Sequence, residues 1–260
     1  MSELLLERTE GVATITINRP EALNAMRSDM WPALLELLRE VEHDREVRCV
    51  MLRGAGENFC AGGDVKQFHS TVHMSSEERA EFWMRSADET NQMFLALERI
   101  PQPVIASVRG AAAGGGLALV AQADLAVASE TARFLVAQIK LGAIPDSGAS
   151  YNILRHMGVK RTKQLCFLGD TFDAHEALDI GLVNWVVPDH ALDEKTMEIA
   201  ARVAKMPRVA IARTKAAINK AHRIGLAEHF VQESLDVGAC VSEEDFVERV
   251  RGFLERSARK

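Results

Sequence analysis

The chain has 260 residues, of which 47% are hydrophobic and 26% charged, and its formal net charge at pH 7 is -6. A chain of this length buries enough apolar surface for one large α/β domain, and its negative charge provides no basic field for nucleic acid or an anionic membrane. The four cysteines lack the paired spacing of a zinc site, and no uninterrupted apolar run reaches membrane length. The composition therefore predicts a cytoplasmic protein that acts on small molecules and holds no metal.

Hydrophobic periodicity predicts a strand-bearing core followed by helices. Apolar runs predict strands over 11–18, 47–53, 104–108, 124–128 and 182–187. Apolar residues at helical spacing predict helices over 28–44, 77–99, 149–157, 171–180, 192–204, 209–224, 226–238 and 243–256. The segment 69–76 is predicted to be a mobile surface loop. Because the strands stop near residue 188, we expect a core over 1–192 and a helical C-terminal region over 193–260.

Two of the predicted strands lead into glycine-rich turns. One turn contains Gly62 and Gly63, and the other contains Gly114, Gly115 and Gly116. Consecutive glycines at the start of a helix leave backbone N–H groups uncovered at the positive end of the helix dipole. Such amides either bind an anion or only allow the helix to pack closely on its strand. If both turns converge on one oxygen, they form an oxyanion hole.

Other enzyme motifs fit the sequence poorly. The glycines after the second strand are followed by Phe59 where a dinucleotide-binding fingerprint requires glycine. His69 and His73 have the spacing of metal ligands, but they lie in the predicted polar loop, where a solvated surface is the better interpretation. The sequence therefore predicts neither a Rossmann fold nor a metal site.

Five segments carry a resemblance to a known family: 24–26 (NAM), 59–65 (FCAGGDV), 108–116 (VRGAAAGGG), 142–145 (GAIP) and 176–183 (EALDIGLV). In type and order they resemble the crotonase superfamily of enoyl-CoA hydratases and isomerases, over nearly the whole chain. The resemblance implies a spiral of ββα units with a helical C-terminal region that packs in trimers, often paired into hexamers. It also implies an acyl-CoA substrate and no cofactor beyond the coenzyme A that this substrate carries.

The resemblance also implies roles for the glycine turns and their neighbours. Gly63 and Gly115 are expected to donate the two N–H groups that bind the thioester oxygen and stabilise an enolate. The implied coenzyme A contacts are Ala25, Met26 and Arg27 beside the pantetheine and phosphates, and Ala61, Asp64 and Val65 towards the adenine. On its sequence context alone, Arg27 is equally a solvated surface arginine.

The acid and base groups depart from the hydratase pattern. The positions of the two hydratase glutamates hold Ala118 and Gln138, neither of which exchanges a proton at neutral pH, so the usual addition of water is disfavoured. Asp146 follows the Ile144-Pro145 dipeptide, where enoyl and ring-epoxide isomerases of the family carry an acid. One carboxylate suffices for a 1,3-proton shift. Asp146 is therefore predicted to be the shuttle base within an apolar wall, or else only the N-cap of the next helix.

Three functions remain open from the sequence. The first is an acyl-CoA isomerase that shifts a double bond or opens an activated ring. The second is an atypical hydratase or lyase, and the third is an acyl-CoA-binding protein without catalysis. The residues leave the acyl group unnamed, because the selectivity of a pocket depends on the geometry of its loops.

Overall fold

The computed structural model describes residues 2–258. The strands in this range are β1 (Leu4–Thr9), β2 (Val12–Ile17), β3 (Cys49–Gly54), β4 (Val104–Val108), β5 (Ala111–Ala113), β6 (Leu125–Ser129), β7 (Arg133–Leu135), β8 (Thr171–Asp173) and β9 (Trp185–Val187). The helices are α1 (Met30–His43), α2 (Val65–Ser70), α3 (Ser76–Arg99), α4 (Gly115–Gln122), α5 (Ala149–Leu168), α6 (Ala174–Asp179), α7 (Leu192–Ala204), α8 (Arg208–Lys220), α9 (Leu226–Val241) and α10 (Glu244–Ala258). None of these helices is both long enough and apolar enough to cross a membrane.

The strands form two sheets that share a repeating unit. The larger sheet has the order β1-β2-β3-β4-β6-β9 and is parallel except for the antiparallel pair of β1 and β2. The smaller sheet has the order β5-β7-β8. In the units β4-β5-α4 and β6-β7-α5, the first strand joins the larger sheet, the second joins the smaller sheet, and a helix follows. The α/β class and the ββα unit expected from the sequence are therefore present.

Both faces of the larger sheet are covered, as is usual for parallel strands. Successive residues of one strand point to opposite faces, so Ile15 joins the main core under α1, α3 and α4, whereas Val12 and Met51 join a second cluster. Ile199 of α7 completes that second cluster. Helix α7 thus packs on the sheet, although the division at residue 192 assigns it to the C-terminal region. The division into 1–192 and 193–260 stays a prediction about folding units.

The predicted loop over 69–76 is confirmed for residues 71–75, whereas its two ends are helical. Helix α2 extends to Ser70, and Ser76 already belongs to α3. Between them, Thr71 is only 1% exposed and its hydroxyl accepts a hydrogen bond from Trp83 Nε1 at 3.0 Å. The segment is therefore anchored to α3 by a buried contact.

Two further elements differ in part from those that the hydrophobic periodicity predicts. The predicted helix over 171–180 begins as strand β8, because its backbone pairs with β7, and only then continues as α6 behind the capping box of Asp173 and Glu176. The predicted helix over 149–157 does end at Gly158, whose φ of 73° is not helical, but a second helical segment that was not predicted continues α5 to Leu168. Strand β1 was not predicted, because its three leucines are consecutive and its apolar and polar residues do not alternate.

Candidate active site

The two glycine turns meet through their backbones. Cys60 and Ala112 form an isolated parallel bridge, in which Cys60 N donates to Ala111 O at 2.9 Å and Ala113 N donates to Cys60 O at 2.9 Å. The first turn is therefore an extension of the smaller sheet beside β5. This pairing aligns two segments that lie about 50 residues apart along the chain.

Close packing of the turns requires glycine at specific positions. A methyl group on Gly116 would lie 2.0 Å from Cys60 O, and one on Gly62 would lie 2.7 Å from Ala113 O and 3.3 Å from Gly115 N. Gly62 also has a φ of 93°, which strains any other residue. Burial raises the pKa of the Cys60 thiol to about 12, so this cysteine is a packing group and not a nucleophile.

Two backbone amides at this junction are uncommitted, meaning that their N–H groups donate no hydrogen bond within the described residues. Within residues 2–258, neither Gly63 N nor Gly115 N donates to any protein acceptor. Gly115 is the first residue of α4, so its N–H group lies at the positive end of the helix dipole. Both glycines line one cavity of about 160 Å³. The structure thus brings together the two predicted oxyanion donors, although their binding of a thioester oxygen stays a prediction.

Aromatic rings form the walls nearest these glycines. A methyl group on Gly115 would lie 3.0 Å from Trp31 Cζ2, and one on Gly63 would lie 2.9 Å from Phe68 Cε2. Phe68 is stacked on Trp83 with 4.4 Å between ring centroids. A cavity of this volume holds a group on the order of one benzene ring. The site can therefore enclose a short or cyclic acyl group.

Asp146 lines the same cavity at its open side. Its Oδ1 accepts a hydrogen bond from Gln138 Nε2 at 3.0 Å, and the Gln138 side chain would lie 3.7 Å from a methyl group on Gly114. The N-cap of α5 is Gly148, which has no side-chain capping bond, so the structure does not realise the cap alternative for Asp146. The carboxylate is exposed and Ile144 is 78% exposed, so the apolar wall expected around Asp146 is not closed within one chain.

Of the two positions that hold glutamates in hydratases, one lines the cavity and the other does not. Ala118 is fully buried in α4 and lies outside the set of cavity-lining residues, whereas Gln138 lines the cavity. Gln138 Oε1 is buried and accepts no hydrogen bond from the described part of the chain. A buried acceptor without a donor costs about 1–3 kcal/mol, which suits a site that a ligand or water completes.

The residues predicted to contact coenzyme A are only partly gathered at the cavity. Met26, Ala61, Asp64 and Val65 line it, whereas the buried Ala25 and the half-buried Arg27 do not. The coenzyme A contacts assigned to all of these residues stay a prediction.

Both charged members of that set are already paired. Arg27 donates to both carboxylate oxygens of Glu3, at 2.6 and 2.7 Å, and to Asp29 at 2.9 Å. The hydrogen bonds from Arg27 hold the pKa of Glu3 below its ordinary value. Asp64 accepts from Arg19 at 3.0 Å and caps α2 through the N–H of Lys66 at 2.9 Å. A phosphate at Arg27 therefore has to displace or share acidic partners.

Sequence reasoning missed a polar cluster on the same cavity wall. Ser28 N donates to Gln67 Oε1 at 2.8 Å, Gln67 Nε2 donates to Ser28 Oγ at 2.6 Å, and Ser86 Oγ donates to Ser28 Oγ at 2.9 Å. Ser28 lies two residues before the start of α1, Gln67 lies in α2 and Ser86 lies in α3. No motif links residues so far apart along the chain, and part of the intervening segment was predicted to be a loop. Only the packing of three helices reveals the cluster.

Nearly the whole chain is similar to known proteins. A family profile described as Enoyl-CoA hydratase/isomerase matches residues 7–260. The chain is 36% identical over 257 residues to a short-chain-enoyl-CoA hydratase of Clostridium acetobutylicum, covering 98% of this chain and 96% of the relative. It is also 36% identical over 222 residues to a 1,2-epoxyphenylacetyl-CoA isomerase of Escherichia coli, covering 85% and 84% of the two chains.

Solved structures support the same comparison. A putative enoyl-CoA hydratase from Streptomyces coelicolor superimposes with a TM-score of 0.92 at 34% identity, covering 98% of this chain and 92% of that one. An enoyl-CoA hydratase from Bacillus anthracis gives 0.91 at 30% identity, covering 98% and 97%. These similarities confirm the predicted α/β spiral of ββα units with its helical C-terminal region.

Proposed function

The chain belongs to the enoyl-CoA hydratase/isomerase family of the crotonase superfamily, and from this premise we propose that it is an acyl-CoA isomerase. It shifts the double bond of a 3-enoyl-CoA to position 2, or opens an activated ring on the acyl group. The observation that supports this proposal is one cavity that combines the uncommitted amides of Gly63 and Gly115 with a carboxylate, Asp146. Coenzyme A enters only as part of the substrate, and no other cofactor is needed.

The proposed reaction uses one base and one anion site. The thioester oxygen accepts hydrogen bonds from Gly63 N and Gly115 N, and Asp146 removes a proton from C2. The electron pair of that C–H bond moves into the thioester to give a dienolate, whose oxygen the two amides bind more tightly than the neutral carbonyl. Asp146 then returns the proton at C4, which leaves the double bond between C2 and C3. No atom is gained or lost.

Gln138 positions the base in this scheme. Its Nε2 donates to Asp146 Oδ1, which leaves the second carboxylate oxygen for the transferred proton. Because the Gln138 amide also lies over Gly114 at the start of α4, it ties the base to the oxyanion turn.

An atypical hydratase is the second candidate, and one observation favours it. Gln138 Oε1 is a buried acceptor without a donor among the described residues, so it suits a water molecule beside Asp146. Asp146 would then deprotonate that water for addition to a 2-enoyl thioester. The relative from Clostridium acetobutylicum is named a hydratase, so the family premise admits both reactions.

Product analysis separates these functions. The purified protein is incubated with a 3-enoyl-CoA and, separately, with a 2-enoyl-CoA, and the products are followed by chromatography with mass detection. The isomerase produces a 2-enoyl-CoA of unchanged mass and adds water slowly or not at all. Faster addition of water to the 2-enoyl-CoA would favour the hydratase. Tight binding of both thioesters without turnover would favour an acyl-CoA-binding protein.

We also propose that the protein acts as a homotrimer or hexamer in the cytoplasm. Large apolar side chains on α9 and α10, Phe230, Leu235, Phe253 and Leu254 among them, are each more than half exposed in one chain. Such contiguous apolar faces usually mark an interaction surface. Cell fractionation tests the location, and the mass of the protein in solution tests the assembly.

A further inference from the structure

The polar wall of the cavity has a surplus of hydrogen-bond donors. We call Ser28, Gln67 and Ser86 the donor cluster. Their side chains carry two hydroxyl hydrogens and two amide hydrogens. One amide hydrogen and one hydroxyl hydrogen are used within the cluster, in the bonds from Gln67 Nε2 and Ser86 Oγ to Ser28 Oγ. One hydrogen of each kind has no acceptor within residues 2–258.

The orientation of the Gln67 amide is fixed by the backbone. Its Oε1 accepts from Ser28 N at 2.8 Å, so its Nε2 must face the Ser28 hydroxyl. Whichever serine donates in the contact between Ser28 and Ser86, one hydroxyl hydrogen remains available. The surplus therefore does not depend on how the hydroxyl groups rotate.

The surroundings define the kind of acceptor that fits. All three residues of the donor cluster line the cavity that contains Gly63 and Gly115. Among the described residues that line it there is no lysine, arginine or histidine, and its charged residues are Asp64 and Asp146. Asp64 is already paired with Arg19, so a carboxylate would face the charge of Asp146 without a cation among the lining residues, at a high desolvation cost. A neutral oxygen carries no such penalty.

An entirely apolar acyl chain would fit this wall poorly. The aromatic rings of Trp31, Phe68 and Trp83 form an apolar part of the same cavity lining. An apolar group pressed against the donor cluster would leave its spare donors unpaired, which is more costly than a typical hydrogen bond is favourable.

We propose that the donor cluster selects acyl groups that carry a neutral oxygen acceptor, such as a keto, ether or hydroxyl oxygen. This specificity rests on the acyl-CoA binding of the proposed function. Ser28 supplies the hydroxyl donor, Gln67 and Ser86 hold it in place, and the second amide hydrogen of Gln67 is the other donor to the same oxygen.

The test measures binding without turnover. Hexanoyl-CoA, 4-oxohexanoyl-CoA and 5-oxohexanoyl-CoA contain no double bond, so calorimetry gives their Kd values independently of isomerisation. The quantity of interest is the Kd of hexanoyl-CoA divided by that of each keto analogue, for the wild-type protein and for Ser28→Ala and Ser86→Ala. Ser234→Ala, an exposed serine of α9 outside the cavity lining, is the matched control.

We expect the ratio for at least one keto position to fall about fivefold in Ser28→Ala and in Ser86→Ala, and to be unchanged in Ser234→Ala. A ratio that is unchanged in both cluster variants overturns the proposal, even if hexanoyl-CoA binds well. Equal weakening of all three ligands also overturns it, because the cluster would then only hold α1, α2 and α3 together. If the wild-type protein binds none of the thioesters, the proposed function fails together with it.

Discussion

At the scale of single residues, the chemistry of the site depends on Gln138 and Asp146. The sequence shows that the two hydratase glutamates are replaced and that a new acid follows Pro145. It does not show that Gln138 Nε2 bonds to Asp146 Oδ1 at 3.0 Å, because the intervening turns bring the two side chains together. Residue types were therefore predictable here, whereas their pairing was not.

Substitution of Gln138 by a charged residue tests whether residue 138 acts on Asp146. In Gln138→Glu, two carboxylates share the space of one hydrogen bond, so ionisation of either disfavours ionisation of the other. Because the base must be ionised, we expect the acidic limb of the kcat/KM profile to move to higher pH. The profile of the isomerisation rate between pH 5 and 9 measures the effect.

Gln164→Glu is the control, since it adds the same charge on the exposed side of α5. It should leave the profile in place. An unshifted profile in a folded Gln138→Glu protein would mean that residue 138 does not act on the base.

At the scale of elements, the site exists because α4 starts against the first glycine turn. Periodicity predicted the long elements well, including α3 and the parallel strands, since each buries a regular apolar face. It failed for β8, where pairing with β7 decides the conformation, and it did not predict that Thr71, in the loop after α2, is buried in contact with α3. Short elements stabilised by distant partners have no local pattern to reveal them.

Substitution of one glycine tests this packing. Gly116→Ala places a methyl group 2.0 Å from Cys60 O, so the start of α4 must move away from the first turn. We expect a loss of at least about 2 kcal/mol in the free energy of unfolding, measured with urea.

Gly238→Ala provides the contrast within α9. Among residues 2–258, nothing outside the local helix backbone lies within 4 Å of the added methyl group, and alanine is the better helix former, so stability should stay level or rise. Similar stabilities for the two variants would contradict the close approach of the turns.

At the scale of the whole molecule, the C-terminal helices expose large apolar side chains, which is unusual for a monomeric protein. Leu235 on α9 is 65% exposed and Phe253 on α10 is 64% exposed. The sequence resemblance predicts trimers, often paired into hexamers. We expect light scattering to give three or six times the chain mass of 28.6 kDa.

A charged substitution tests the proposed surface. Leu235→Glu should lower the measured mass, because a buried unpaired carboxylate opposes association. Val72→Glu replaces a side chain that is 52% exposed outside the C-terminal helices, and it should leave the mass unchanged. A wild-type mass equal to that of one chain would contradict self-association.

The whole fold also explains why the site is assembled from distant segments. Gly63, Gly115 and Asp146 follow three successive turns of the ββα spiral, yet they line one cavity. The family motifs predicted these residues, since glycine turns and the segment after Pro145 are recognisable locally. The donor cluster escaped prediction because serine and glutamine carry no such signature.

The isomerisation rate of Asp146→Asn on a 3-enoyl-CoA tests directly whether Asp146 is the base. Asparagine keeps the shape of the side chain and its contact with Gln138, and Gly148 remains the N-cap of α5, so folding should be unaffected. We predict a fall in kcat of about 10²–10⁴-fold, with Asp88→Asn, an exposed carboxylate of α3, at the wild-type rate. A folded Asp146→Asn protein within about threefold of the wild-type kcat would contradict Asp146 as the base.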